Sequence, residues 1–202
     1  MQAWMLYVLM LLPLATAGAI VLRPGREAKG IALMGSLITV IPAWFALFGF
    51  DWTNAAAMQG SYRLAWIDQL GLTASVGVDS VALLLIALTV LLGPIVVLCS
   101  FTAIGDDPKS KPKTYYSWIL ILQAAMTGVF ASRDLIFFYV CFEFTLVPMY
   151  VLISLYGSSN RKKAATKFFL YTFTGSLLTL AGLIYVVWFN ATRIPLDVWA
   201  GS

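Results

Sequence analysis

Six stretches of this 202-residue chain run for 18 residues or more without a formal charge, apart from one interruption: residues 1–22, 30–50, 80–105, 114–132, 135–160 and 168–192. The interruption is Glu143, in the fifth. Each run meets the roughly 18-residue length that crosses a bilayer as a helix. In hydrocarbon every backbone N–H and C=O must be satisfied internally, so such runs fold as helices. Charged residues are 11% of the chain against roughly 25% in ordinary soluble domains. The expectation is an all-α membrane protein forming a single membrane domain over 1–202. Its six transmembrane helices are expected at about 1–22, 30–50, 79–104, 114–132, 135–157 and 165–190, with an outer, hairpin-like loop at 51–78.

The net charge of +4 takes its meaning from its distribution. Arg23, Arg26 and Lys29 follow the first run, Lys109, Lys111 and Lys113 the third, and Arg161, Lys162 and Lys163 the fifth, with Lys167 just inside the sixth. These are ten of the thirteen basic residues. The alternate loops carry one each, Arg63, Arg133 and Arg193. Basic loops stay in the cytoplasm, so both termini are expected on the non-cytoplasmic side. The first run has no basic segment before it and is read as a retained helix, not a cleaved leader.

The chain has no histidine and no CxxC motif, and Cys99 and Cys141 both fall inside expected helices. No ligand set is visible for haem, zinc or an iron–sulfur cluster, and the cysteines read as small packed residues. No nucleophile–base pair is visible either.

Within the loop at 51–78, Tyr62, Leu64 and Trp66 alternate with Arg63 and Ala65, and Asp68, Gln69 and Gly71 supply a turn. A short hairpin on the membrane surface is expected. Asp79 stands where the N-cap of the third helix belongs. In the fourth helix, Gln123 and Thr127 are four apart, share a face, and are expected to join neighbouring helices by hydrogen bonds.

The fifth run, LIFFYVCFEFTLVPMYVLISLYG, holds the residue around which the chain is organised. A charged side chain at a membrane helix centre costs about 2.5 kcal/mol or more, so Glu143 points to a partner or a water path. Counted at 1.5 Å per residue, it lies about 12 Å below the outer end. Carboxylates in such places exchange protons as a neighbouring cation comes and goes, and a proton-handling role is expected. Lys167 stands about one turn inside the sixth helix, either reaching the headgroups or facing the bundle. The two differ in depth by roughly 16 Å on the same count and do not pair directly. No other run supplies a cation at the depth of Glu143.

These residues carry a resemblance. RDLIFFYVCFEFTLVPMYVLISLYG followed by AATKFFLYTFTGSLLTLAGL resembles the fifth and sixth helices of the proton-translocating membrane subunit M, or chain 4, of respiratory complex I, the NADH:quinone oxidoreductase. GVDSVALLL at the third helix fits as well. The pairing of FE-x3-VPMY with AATKFF is specific, and the likeness covers residues 62–190.

The resemblance implies a bundle containing antiporter-like inverted repeats. Glu143 is implied as part of a proton half-channel and Lys167 as a polar-axis residue. It also implies partners: other complex I membrane subunits, lipid, and polypeptide bearing NADH, flavin, iron–sulfur clusters and quinone, none of them bound by this chain. Family members have about fourteen helices, and their seventh supplies a lysine that pairs with the helix-5 glutamate. Against that pattern the chain is expected to be half of a split subunit or a truncated product. Three alternatives stand beside this: a cation/proton antiporter subunit, a membrane-bound hydrogenase subunit, and a purely scaffolding subunit. All place the chain in a bacterial or organellar inner membrane.

Overall fold

The fourth helix decides how the rest packs. The computed structural model describes residues 4–54, 57–67, 72–104 and 111–193, so the expected turn at Asp68, Gln69 and Gly71, and Lys109, lie outside the described residues. Among the described residues there are six α-helices: α1 (Trp4–Leu22), α2 (Ala28–Phe48), α3 (Ser80–Ala103), α4 (Pro112–Ala131), α5 (Leu135–Tyr156) and α6 (Arg161–Arg193). All except α4 are long and apolar enough to cross a membrane. The 20 residues of α4 span about 30 Å, a full hydrocarbon core, but include Tyr115, Tyr116, Ser117, Gln123 and Thr127. The difference has a packing reason. Helix α4 buries Tyr116, Leu120, Gln123, Thr127 and Ala131 along one side, so its polar groups face protein while α1 and α3 pack against it.

The chain falls into two compact units, Met1–Leu152 and Ile153–Ser202. In the first, α1 packs on α2 and α4, and α3 packs on α2 and α4. The buried positions fall at helical spacing: Leu6, Leu9, Pro13, Ala17 and Ile20 in α1, and Ala28, Ala32, Gly35, Thr39, Ala43 and Ala46 in α2. The buried line of α2 is almost wholly small residues, which bring backbones close where lipid gives helices no hydrophobic reason to associate. The exposed positions are the large apolar ones. In α3 they include Leu84, Leu88, Leu91, Ile95 and Leu98. A continuous apolar exterior of this kind marks a surface that meets lipid or another apolar helix.

Asp79 caps α3, its Oδ1 accepting from the Ala82 amide at 2.8 Å, an interaction worth about 1 kcal/mol. Asp134 does the same for α5, its Oδ1 accepting from the amides of Ile136 at 2.9 Å and Phe137 at 3.0 Å. At one end of the unit, Lys113 Nζ donates to the Val21 carbonyl at 3.1 Å and Lys29 Nζ to the Phe101 carbonyl at 3.2 Å. Each cation thereby meets the carbonyls at a helix C-terminus, where the dipole favours it.

The opposite end carries an antiparallel hairpin, β1 (Gln59–Ile67) with β2 (Leu72–Val78), in register Tyr62↔Val76 and Arg63↔Ser75. Strand β2 is seated in the bundle end, with Val76 and Val78 fully buried in the core formed by Leu6, Leu9, Ala46, Leu83 and Ile86. Its other edge pairs Val76 with Ser132, and the Arg133 amide donates to the Ser75 carbonyl at 2.9 Å. The hairpin therefore clamps the turn between α4 and α5.

In the second unit, α6 starts at Arg161, not near 165. Arg161, Lys162 and Lys163 are good helix formers, so the helix continues beyond the apolar run. Lys167 consequently sits six residues, about 9 Å, inside the helix start instead of one turn. The hydroxyls of Thr172, Thr174, Ser176 and Thr179 donate to carbonyls three or four residues back, at 2.7–3.2 Å. They are satisfied within α6.

Candidate functional site

Glu143 lies eight residues into α5, about 12 Å from the helix start that Asp134 caps. Its side chain is half-buried, and its Oε1 is fully enclosed with no hydrogen-bond partner among the described residues. Pro148, five residues on, is itself buried and has no amide hydrogen. It therefore leaves the Phe144 carbonyl without its helical donor, next to Glu143.

The other buried, unpaired side-chain polar atoms among the described residues are Nε2 and Oε1 of Gln123, a residue 5% exposed. Gln123 is eight residues from the last residue of α4 and Glu143 eight from the first of α5. The two helices approach each other at one point: a Cβ on Gly128 of α4 would stand 3.0 Å from Cys141 Sγ of α5. Taking that contact as the register, Gln123 and Glu143 lie within about one turn, 5.4 Å, of each other in depth. Two polar side chains, one on α4 and one on α5, thus have unmet hydrogen-bonding capacity among the described residues of one unit.

The expected hydrogen-bonded join through Gln123 and Thr127 is replaced by something else. Thr127 Oγ1 donates to the Gln123 carbonyl at 2.9 Å, back into its own helix. The Gln123 amide instead packs on α3, where a Cβ on Gly93 would stand 2.6 Å from its Oε1. Gly93 and Gln123 both line an apolar groove of about 600 Å³ between α3 and α4, with Leu88, Leu92 and Met126. The join is one of shape. Gln123→Leu should therefore leave the isolated chain as stable as before or stabilise it by about 1–3 kcal/mol, the cost of the unpaired amide. Detergent unfolding reads this directly, and destabilisation by more than about 1 kcal/mol would mean that the amide is paired in the membrane.

Helix α4 carries one polar pair that pattern reading missed. Tyr116 is fully buried, and Ser100 Oγ donates to its hydroxyl at 3.2 Å. Tyr116, Leu120, Gln123 and Thr127 recur at helical spacing, so the polar line of α4 starts near the basic end of the unit and reaches the level of Glu143. The signal available in the sequence was that spacing, disguised by an adjacent Tyr115.

Lys167 belongs to the second unit. It is exposed on α6 and makes no hydrogen bond or ion pair among the described residues. Cys99 is exposed on α3 and Cys141 is half-buried on α5, both as free thiols.

Comparisons with known proteins give the family and the fold of the chain. Residues 1–128, more than half of the chain, match the family described as NADH-ubiquinone oxidoreductase chain 4, amino terminus. Residues 132–196 match the transmembrane family of NADH:quinone oxidoreductase and Mrp antiporters. The chain is 37% identical over 187 residues to NADH-quinone oxidoreductase subunit M of Rhodobacter capsulatus, covering 89% of this chain and 35% of that one. It is 36% identical over 170 residues to F(420)H(2) dehydrogenase subunit M of Methanosarcina mazei, covering 83% of this chain and 33% of the relative. The chain spans about a third of the length of the curated relatives it matches.

Among solved structures, respiratory complex I from Thermus thermophilus with bound NADH superposes with a TM-score of 0.69 at 24% identity, over 89% of this chain and 35% of that one. The Mrp complex from Dietzia sp. gives 0.74 at 21%, over 90% and 19%. At these identities the structural likeness speaks for the fold, an antiporter-like membrane bundle. With the family match over residues 1–128 beside it, the chain belongs to the NADH-ubiquinone oxidoreductase chain 4 family.

Proposed function

We propose that this chain forms the amino-terminal part of a proton-translocating membrane subunit of a complex I-type quinone oxidoreductase, with Glu143 as its proton-handling group. The observation that carries the reading is the enclosed, unpaired Oε1 of Glu143, at nearly the same depth as the unpaired amide of Gln123. In a medium where buried polar atoms are otherwise paired, such groups mark ion and proton paths. Glu143 takes up a proton from one side and releases it when a cation approaches. Tyr116, Gln123 and Thr127 place polar groups on one face of α4 between the basic end and that level. The cation comes from polypeptide outside these 202 residues. Lys167 serves as a second charge on the polar axis.

In this reading NADH, flavin, iron–sulfur and quinone chemistry belong to partner subunits, and this chain binds none of those groups. The similarity to an F(420)H(2) dehydrogenase subunit leaves the electron donor to those partners. Arg23, Arg26, Lys29 and Lys113 gather at one end of the first unit, which supports a reading with the basic loops in the cytoplasm and both termini on the non-cytoplasmic side. A second reading, a cation/proton antiporter subunit, draws on the structural likeness to the Mrp complex.

The test is gentle solubilisation of the native membrane and identification of what co-purifies with the chain. Quinone-reducing subunits, together with a cation-bearing membrane helix, are the expected result. Recovery with antiporter subunits and no quinone reductase moves the assignment to the second reading. Recovery of the chain alone overturns the pump.

A further inference from the structure

At the end of the first unit that gathers basic residues, α1 and α2 leave between them a groove of about 730 Å³. Its space comes from small residues, Ala15 and Ala19 on α1 and Gly30 on α2, while Gly35, in contact with Thr16, lies at its closed side. A Cβ on Gly30 would meet nothing within 4 Å. Its walls are apolar along their length, reaching Leu12 on one side and Ile38 on the other, while Arg23, Arg26 and Glu27 stand at its mouth. From Glu27 to Ile38 the groove follows eleven helical steps, about 16 Å. Half of a bilayer's hydrocarbon core is about 15 Å. The groove is thus one leaflet deep, apolar where acyl chains lie and cationic where headgroup phosphates lie.

The charges at the mouth are free to take an anion. Arg23 reaches Glu27 at 3.6 Å in an exposed pair, and such pairs hold weakly against competing partners. Arg26 is exposed and has no ion-pair partner among the described residues. Basic pockets between membrane helices recognise anionic lipid headgroups, and a guanidinium matches phosphate in a bidentate fork. Glu27 works against the same anion and sets a limit on its affinity. We infer that the α1–α2 groove is a binding site for an anionic phospholipid, with one acyl chain along Ala15, Ala19 and Gly30 and the phosphate at Arg23 and Arg26. The site is independent of Glu143 and of the proton-translocation reading.

The experiment uses the full chain, delipidated in detergent and titrated separately with dioleoylphosphatidylglycerol, dioleoylphosphatidylcholine and inorganic phosphate, with bound molecules counted by native mass spectrometry. One phosphatidylglycerol should be retained in preference to phosphatidylcholine. Arg26→Ala should weaken phosphatidylglycerol about fivefold, the worth of one basic residue at a membrane surface, and leave phosphatidylcholine unchanged. Glu27→Gln should strengthen it. Gly30→Leu fills open space without a clash and should reduce retention of both lipids. Circular dichroism melting confirms that each variant is folded, and Arg26→Ala, on an exposed site, keeps the test decisive if another variant is not. Equal retention of the two lipids, indifference to Arg26→Ala and Gly30→Leu, or binding of phosphate alone as tightly as of phosphatidylglycerol would each overturn the proposal.

Discussion

Glu143→Gln in the assembled membrane complex should reduce coupled proton translocation by about 100-fold or more, the range over which a positioned acid–base group acts, while the complex still assembles. Glutamine keeps the size of the side chain and its hydrogen-bonding outline but cannot take up or release a proton. The carboxyl at this position has one oxygen sealed from solvent and unpaired among the described residues, so its removal costs little in structure. Loss of an ion-paired carboxylate would instead leave a cation buried alone, at 3–5 kcal/mol. The two possibilities separate in a single pair of measurements, assembly by native gel and acidification by a pH-sensitive dye. Translocation within twofold of the parent would remove Glu143 from the proton path. Loss of the assembled complex would make it a structural residue.

Gly35→Leu should have the largest effect on the stability of the chain itself, destabilising it by about 3 kcal/mol, the upper part of the range for overpacked sites. A Cβ at Gly35 would stand 2.8 Å from Thr16 Cβ and closer still to both branches of that side chain. Thr16 cannot swing away cheaply. It is β-branched, with restricted rotamers in a helix, and its Oγ1 is bonded to the Leu12 carbonyl at 2.8 Å. The helices α1 and α2 must then separate, and α2 loses the small-residue seam through which it packs. Gly30→Leu, one and a half turns away on the same helix, is the matched control, because no atom stands within 4 Å of that position. Unfolding in mixed detergent compares the two. A Gly35→Leu cost below about 1 kcal/mol would mean that the α1–α2 contact yields easily.

These two residues differ in how far the sequence revealed them. Glu143 was conspicuous, since one acid in a charge-free run contradicts its surroundings, and no tertiary information is needed to see it. Gly35 was invisible, because glycine in a membrane helix has many uses and only the position of Thr16 across the gap makes this one essential. Gln123 lies between these cases. Its shared face with Thr127 was legible from the spacing, but its partners were not. Whether a glutamine amide meets another polar group or lies unpaired against Gly93 depends on which helix arrives opposite.

The sequence by itself determined that the chain is helical, where its helices run, where α3 is capped, and which acidic residue stands apart. The reason is the solvent: in hydrocarbon an unsatisfied backbone is so costly that a long apolar run has one outcome. It did not determine which side of each helix is inside. When lipid is as apolar as the protein interior, burial leaves no hydrophobic periodicity to read, and packing is settled by small residues and shape. The shared polar face of Gln123 and Thr127 pointed toward other helices, but only the tertiary structure could make α4 the enclosed helix and set α1 and α3 against it. The same holds for β2, seated among Leu6, Leu9 and Leu83, and for the basic groove between α1 and α2. Each depends on surfaces brought together from distant parts of the chain.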